Sequence, residues 1–224
     1  MRQAARNLLE MKHRLTRQIE QRGEMLAGVS HDLRSPLTRM KLQLAMLGES
    51  PEVEALRGDV SDMQRMVDAY LAFARGQETE PAEPMDFGQL MEEVGADMAR
   101  QGAPVTVEAV GDLSMIGRPN GLKRCLTNLT ENSRRFAQRI SLRAERRVGQ
   151  ILVQIDDDGP GIPADKRKDV FRPFARLDDA RGPDSGGAGL GLTIARDVIR
   201  QHGGDIRLLD APIGGLRVEM RIPV

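Results

Sequence analysis

The 224 residues carry 33 Lys+Arg against 33 Asp+Glu, so the formal charge balances and offers no case for nucleic acid or an anionic membrane surface as partner. Hydrophobic residues make up 40%, enough for a packed core. Aromatics are only 3% and Trp is absent, so Leu, Ile, Val, Met and Ala must build that core. The single cysteine, Cys125, excludes an internal disulfide and a cysteine metal cluster and fits a reducing cytosol. No apolar run approaches the ~18 residues of a membrane span, and no signal-peptide segment opens the chain. The expected molecule is the cytoplasmic portion of a longer bacterial protein, with membrane attachment only through an upstream segment outside this sequence.

In chain order, residues 1–22 are charged and polar with scattered Leu and Met, and read as a linker helix. Residues 23–76 then carry two heptad runs. The first is Leu26, Val29, Leu33, Leu37, Met40, Leu44 and Leu47; the second is Val53, Leu56, Val60, Met63, Val67, Tyr70 and Ala74. Spacings of three and four place each run along one helix seam. Gly48-Glu49-Ser50-Pro51 separates them, which predicts a helical hairpin. A lone hairpin buries too little, so two should pair into a four-helix bundle, making the protein a homodimer. Residues 77–85 are rich in Glu and Pro and read as a linker.

Residues 86–224 follow a different pattern. Helices are predicted over 87–101, 118–137 and 190–201. Strands are predicted over 104–110, 139–145, 150–156, 205–210 and 216–222. Short turns between neighbouring strands point to an antiparallel or mixed sheet with helices on one face.

Four segments carry the chemistry. His31 lies in Gly28-Val-Ser-His-Asp-Leu-Arg-Ser-Pro36, off the apolar seam, with Pro36 expected to bend the helix one turn later. Asp32 beside it can take a proton from one ring nitrogen and leave the other to attack phosphorus. Asn128 and Asn132 share a helix face with Arg135 one turn on, a set that could hold hydrated Mg²⁺ and phosphate but that, standing alone, reads first as a polar helix face. Asp156-Asp157-Asp158-Gly159-Pro160-Gly161-Ile162 follows an apolar strand without the ligand alternation of a Ca²⁺ loop. It can hold a carboxylate beside exposed backbone, or be a plain turn. Gly186-Gly-Ala-Gly189-Leu-Gly191 opens a helix, where backbone N–H groups and the helix dipole favour an anion; it lacks the Gly-Lys-Ser/Thr of a Walker A loop.

The string SHDLRSPLT closely resembles the H-box of bacterial sensor histidine kinases, and the later segments resemble, in order, that family's N, G1 and G2 boxes. Phe171-Arg-Pro-Phe174 looks like its F box. The resemblance is nearest to the osmosensing EnvZ-type subclass. It implies a helical-hairpin dimerisation domain followed by a Bergerat-type α/β sandwich that binds ATP. It implies a protein-histidine kinase in which His31 is the phosphoacceptor, Asp32 the general base, and Ser35, where Thr or Asn is usual, helps to dephosphorylate the partner. The partner implied is the receiver domain of a response regulator, with an OmpR-like one expected. The nucleotide residues implied are Asn128, Asn132 (also the Mg²⁺ ligand), Arg135, Phe136, Asp158 for the adenine amine, Gly159, Gly161, Ile162, Gly187, Gly189, Leu190 and Gly191. Residues 175–188 look like the family's mobile lid. Ser133, Arg135 and Phe136 depart from the commoner Ala, Lys and Tyr. Two other functions use parts of this pattern: a GHKL-type ATPase of the gyrase and MutL superfamily, with Glu131 as candidate base, and an inactive scaffold that binds a response regulator.

Overall fold

The computed structural model describes residues 32–48, 50–75, 80–175 and 189–224, and the chain divides into two compact units between Thr79 and Glu80. In the first unit, α1 (residues 32–46) and α2 (Pro51–Arg75) form a hairpin. Gly48 turns the chain at φ 78°. Ser50 caps α2 by accepting the Val53 N–H at 3.3 Å. Pro51 occupies the first helical position, where no donor is missed, and Glu52 and Glu54 in the first turn complement the helix dipole. Arg57 reaches back from α2 to the Leu44 and Gly48 carbonyls, at 3.0 and 3.4 Å, supplying the donors that the end of α1 lacks.

The apolar seam splits by heptad position. Leu37, Leu44 and Val60 are buried together, with Val53 and Val67 packed on them. The other set stays exposed: Leu33 44%, Met40 46%, Leu47 67%, Leu56 50% and Met63 52%. One set therefore closes the hairpin and the other forms an apolar stripe on its surface. No described helix is long and apolar enough to cross a membrane.

The second unit runs β1 (Glu83–Asp86), α3 (Phe87–Arg100), β2 (Val105–Val110), β3 (Ser114–Gly117), α4 (Pro119–Phe136), β4 (Ile140–Arg147), β5 (Gln150–Asp157), a 3₁₀ turn at Asp169–Phe171, α5 (Gly191–Gln201), β6 (Asp205–Asp210) and β7 (Leu216–Pro223). A five-stranded sheet has the order β2-β4-β5-β7-β6, with β2 parallel to β4 and the other neighbours antiparallel. Composition assigns residues 83–85 to a linker, but the structure makes them part of a strand. β1 pairs antiparallel with β3, and Pro84 is tolerated in this two-stranded ribbon, which needs few donors.

Alternation along the strands sends Ile151, Val153 and Ile155 to one face of the sheet, the face that α3, α4 and α5 cover with Met91, Val94, Leu122, Leu126, Leu129, Ile194, Ala195 and Ile199. The opposite face is polar and arranged in rows across all five strands. One row reads Glu108, Arg143, Gln154, Glu219, Arg207, and the next Thr106, Ser141, Asp156, Arg217, Leu209. Arg217 forks onto both oxygens of Asp156 at 2.6 Å, and that hydrogen-bonded pairing raises the guanidinium pKa. Burial alone would raise the Glu219 carboxyl, but hydrogen bonds from Arg221 and Gln154 outweigh it and lower the pKa.

Candidate functional site

Parity separates the three consecutive aspartates. Asp156 faces the polar side, bound to Arg217. Asp157, the last residue of β5, continues the Ile151-Val153-Ile155 face, turns toward the helices and is 4% exposed. Its Oδ2 accepts from Ser133 Oγ of α4 at 2.8 Å. Its Oδ1 accepts the Gly159 and Leu216 N–H groups, both at 3.1 Å. Asp158, the residue assigned to the adenine amine from sequence, is turned elsewhere. Its Oδ1 accepts the N–H groups of Gln138 and Arg139 at 2.8 and 2.9 Å, and its Oδ2 meets Arg139 Nε at 2.9 Å. The Arg139 side chain, with these backbone donors, lowers its pKa to about 2. The two carboxylates point apart because of the two-residue period of the strand: a carboxylate on the helix side must have an odd number here.

The loop beyond β5 is shaped by contacts with α4 and the β6–β7 turn. A Cβ on Gly159 would lie 2.9 Å from the carbonyl oxygen of Phe136, the last residue of α4, so a side chain there has no room. Gly161 takes φ 72° beside Gly215. Ile162 is half-buried, and its carbonyl accepts Arg167 Nε at 2.9 Å. Gly215 and Leu216 were not singled out in the sequence. The Gly214-Gly215 pair between two strands was the available signal, because a hairpin turn with positive φ at both residues packs closely on whatever lies beneath.

Helix α4 begins at Pro119 without a side-chain cap of its own. The carboxylate of Glu80 replaces one, accepting the Asn120 and Gly121 N–H groups at 2.7 and 2.8 Å, while Arg118 Nε donates to the Glu80 carbonyl at 2.9 Å. His202 Nε2 accepts the Arg118 N–H at 3.0 Å, and its Nδ1 lies 2.7 Å from the Val198 carbonyl. The ring thus bridges the end of α5 to the start of α4. Further along α4, the Asn128 Nδ2 is buried and has no hydrogen-bond partner. Asn132 is half-buried one turn on; Arg135 and Phe136 are exposed at the helix end.

Helix α5 starts directly against Asn128. A Cβ on Gly191 would lie 3.6 Å from the Asn128 carbonyl oxygen and 3.7 Å from its Cβ. No side chain caps this N-terminus: the N-cap residue is Leu190, 2% exposed. Gly189 presses on Phe174, whose N–H donates to the Gly189 carbonyl at 2.9 Å. Phe174 itself sits at φ 64°, a costly backbone for a residue with a Cβ. The Phe171 carbonyl accepts from Thr193 Oγ1 and Arg196 Nη2 at 2.9 and 3.0 Å, and the Arg196 guanidinium lies 5.0 Å over the Phe171 ring. Together α4, α5, the loop after β5 and the β6–β7 turn enclose a buried carboxylate at one end. At the other end lie an unpartnered amide N–H and uncapped helix N–H groups, the donors that a phosphate needs.

His31, Gly187 and the expected lid residues 176–188 lie outside the described residues. Asp32 and Ser35 stand exposed on α1. Glu131, the candidate base of an ATPase, is held by Arg134, whose Nη2 and Nε lie 2.8 and 3.2 Å from one carboxylate oxygen.

The family described as His Kinase A (phospho-acceptor) domain matches residues 21–79, and that described as histidine kinase-, DNA gyrase B-, and HSP90-like ATPase matches residues 117–224. The chain is 33% identical over 224 residues to sensor histidine kinase GtrS of Pseudomonas aeruginosa, covering 99% of this chain and 46% of that protein. It is 34% identical over 227 residues to sensor histidine kinase CpxA of Escherichia coli K12, covering 96% and 50%. Among solved structures, full-length ShkA in complex with AMPPNP superposes with a TM-score of 0.68 at 25% identity, over 89% of this chain and 45% of that one. The ATP binding domain of PrrB from Mycobacterium tuberculosis gives 0.54 at 27% identity, over 63% and 96%. The chain spans about half the length of the curated relatives it matches.

Proposed function

The chain belongs to the sensor histidine kinases, and on that premise we propose that it transfers the γ-phosphate of ATP to His31 and passes it to an aspartate of a response regulator, an OmpR-like receiver domain being the partner expected. The observation that carries this reading is the buried Asn128 amide, left without a partner beside the uncapped start of α5 while Asp157 closes the far end of the site. Asp157 takes the role of acceptor for the adenine amine in place of Asp158. Its Oδ2 has a lone pair beyond the one used by Ser133, whereas Asp158 is committed to Arg139.

Among the described residues there is no cluster of His, Cys, Asp or Glu that could hold a metal by itself. Mg²⁺ would therefore be held as it commonly is, through one or two protein oxygens and substrate phosphates, with Asn132 the protein ligand. Bound there, it supplies neutralisation of charge on the β- and γ-phosphates. Asn128 and the N–H groups of Leu190 and Gly191 orient the phosphates. Asp32 accepts the imidazole proton as His31 attacks, and Ser35 positions water for dephosphorylating the regulator. The apolar stripe of Leu33, Met40, Leu47, Leu56 and Met63 supports a homodimer in which a second hairpin covers it. Membrane anchoring of the longer protein belongs to the same proposal.

Incubation with γ-labelled ATP tests it. Acid-labile, base-stable label that disappears in His31→Gln is the expected result. Steady phosphate release without label would favour the ATPase, against which the Glu131–Arg134 pair already speaks, and neither outcome would leave the scaffold.

A further inference from the structure

Ser133 stands where the family's N box commonly has alanine, and its side chain is 1% exposed. A serine inside a helix usually turns its hydroxyl to the carbonyl one turn back. Here the hydroxyl instead leaves the helix and donates to Asp157 Oδ2 at 2.8 Å. The same carboxylate is held at Oδ1 by the Gly159 N–H from the loop below and the Leu216 N–H at the start of β7. Three structural elements thus fix its plane. Without Ser133 both remaining bonds are on Oδ1, and the terminal torsion of an aspartate is broad and soft, so Oδ2 is free to swing.

We propose that Ser133 is a positioning residue for base recognition: its hydroxyl orients Asp157 Oδ2 so that the remaining lone pair meets the 6-amino group of the purine, and it thereby sets the preference for adenine. The inference rests on the role given to Asp157 above. Oδ2, with one lone pair used by Ser133, is left as an acceptor with no donor of its own to offer, so it rewards an amine at the 6-position and nothing else there. A fixed acceptor binds more tightly than a mobile one, because its ordering is already complete before the ligand arrives. The gain is confined to nucleotides that carry the amine.

The test compares calorimetric affinities of the full chain for ATP and for purine riboside triphosphate, which lacks the 6-amino group. Ser133→Ala should weaken ATP by roughly tenfold, within the span of one hydrogen bond to a charged group, and change the deaminated analogue by less than about twofold. Ser133→Cys, which keeps the volume but has a weaker donor, should behave as the alanine variant does, and Ser133→Thr should restore most of the ATP affinity. Equal weakening of both nucleotides would assign Ser133 a packing role only and overturn the proposal, as would unchanged ATP affinity. Asp157→Asn separates the two levels. If it abolishes the preference for ATP while Ser133→Ala does not reduce it, the inference fails and the role of Asp157 stands. If Asp157→Asn leaves the preference intact, the role of Asp157 fails and the inference falls with it.

Discussion

Replacing Gly215 with alanine tests whether the β6–β7 turn supports the carboxylate. Gly215 has φ 89°, and a Cβ there would lie 2.5 Å from the Asp157 carbonyl oxygen, 2.6 Å from the Gly159 nitrogen and 2.7 Å from the Gly159 oxygen. All three are backbone atoms, so no side chain can swing aside; the turn must lift. Gly214 is its control: φ is 84°, but nothing lies within 4 Å of its Cβ position. Both substitutions incur the left-handed backbone cost of roughly 1–2 kcal/mol. Only Gly215→Ala also breaks the Leu216 N–H bond to Asp157, a charge-assisted bond worth about 1.5–3 kcal/mol. The expected losses are roughly 3–5 kcal/mol for Gly215→Ala and about 1–2 for Gly214→Ala. Because Trp is absent and the sole Tyr is in the hairpin, unfolding in urea is best followed by circular dichroism. The relevant transition is the one that ATP shifts. ATP affinity should drop at least tenfold in the first variant and stay near wild type in the second. Two variants within ~1 kcal/mol of each other would refute the reasoning, since the backbone strain they share would then explain both.

His202→Phe leaves the Arg118 N–H without an acceptor and should cost about 1–3 kcal/mol of urea stability; a loss below ~0.5 would show that the bridge between α5 and α4 is dispensable. Arg139→Ala should move the Asp158 carboxyl from about 2 part of the way back toward the ordinary ~3.9, read from its carbon chemical shift, and an unmoved midpoint would rule out the guanidinium as the cause. The sign follows from the depressed folded value: the ionised carboxylate favours the fold above ~4, and that contribution fades as pH falls toward 2, where the two proteins should converge in stability. Burial pushes the Cys125 thiol up to about 12, so a disulfide reagent at mildly alkaline pH should label the protein only after unfolding, and rapid labelling of the native state would contradict the burial.

The long elements of the second unit were legible because their periods are clean. Leu122, Cys125, Leu126 and Leu129 repeat at helical spacing, and Ile151, Val153 and Ile155 alternate, so α4 and β5 could be placed within a residue or two. β1 and β3 could not, being four residues each, with Pro84 and a largely exposed pattern in β1 and only two buried positions in β3. The position of the buried carboxylate was partly legible. Continuing the odd-numbered alternation past Ile155 reaches Asp157, yet three aspartates in a row draw attention to the one beside the glycine. The hold of Ser133 on Asp157, and of Leu216 on the same group, joins residues 24 and 59 positions apart, and no local pattern encodes such a pair. In the hairpin the heptads gave both seams, but only packing distinguishes the buried set from the exposed one.

The polar rows across the open face of the sheet act as a proofreading device for strand register. A slip of one residue is excluded by parity, since it would bury every charge in that strand. A slip of two preserves parity, and there the charges discriminate. Moving β2 two residues along β4 sets Glu108 opposite Glu145; moving β7 along β5 sets Asp156 opposite Glu219; moving β6 along β7 sets Arg207 opposite Arg221. Like charges directly opposed disfavour a slip in each of these directions. The β4–β5 pair has no such guard for a two-residue slip and is the pair joined by a two-residue turn, with Gly149 at φ 70°, which sets its alignment locally. The sheet thus carries error checking in charge at three of its four strand pairs, and in turn geometry at the fourth.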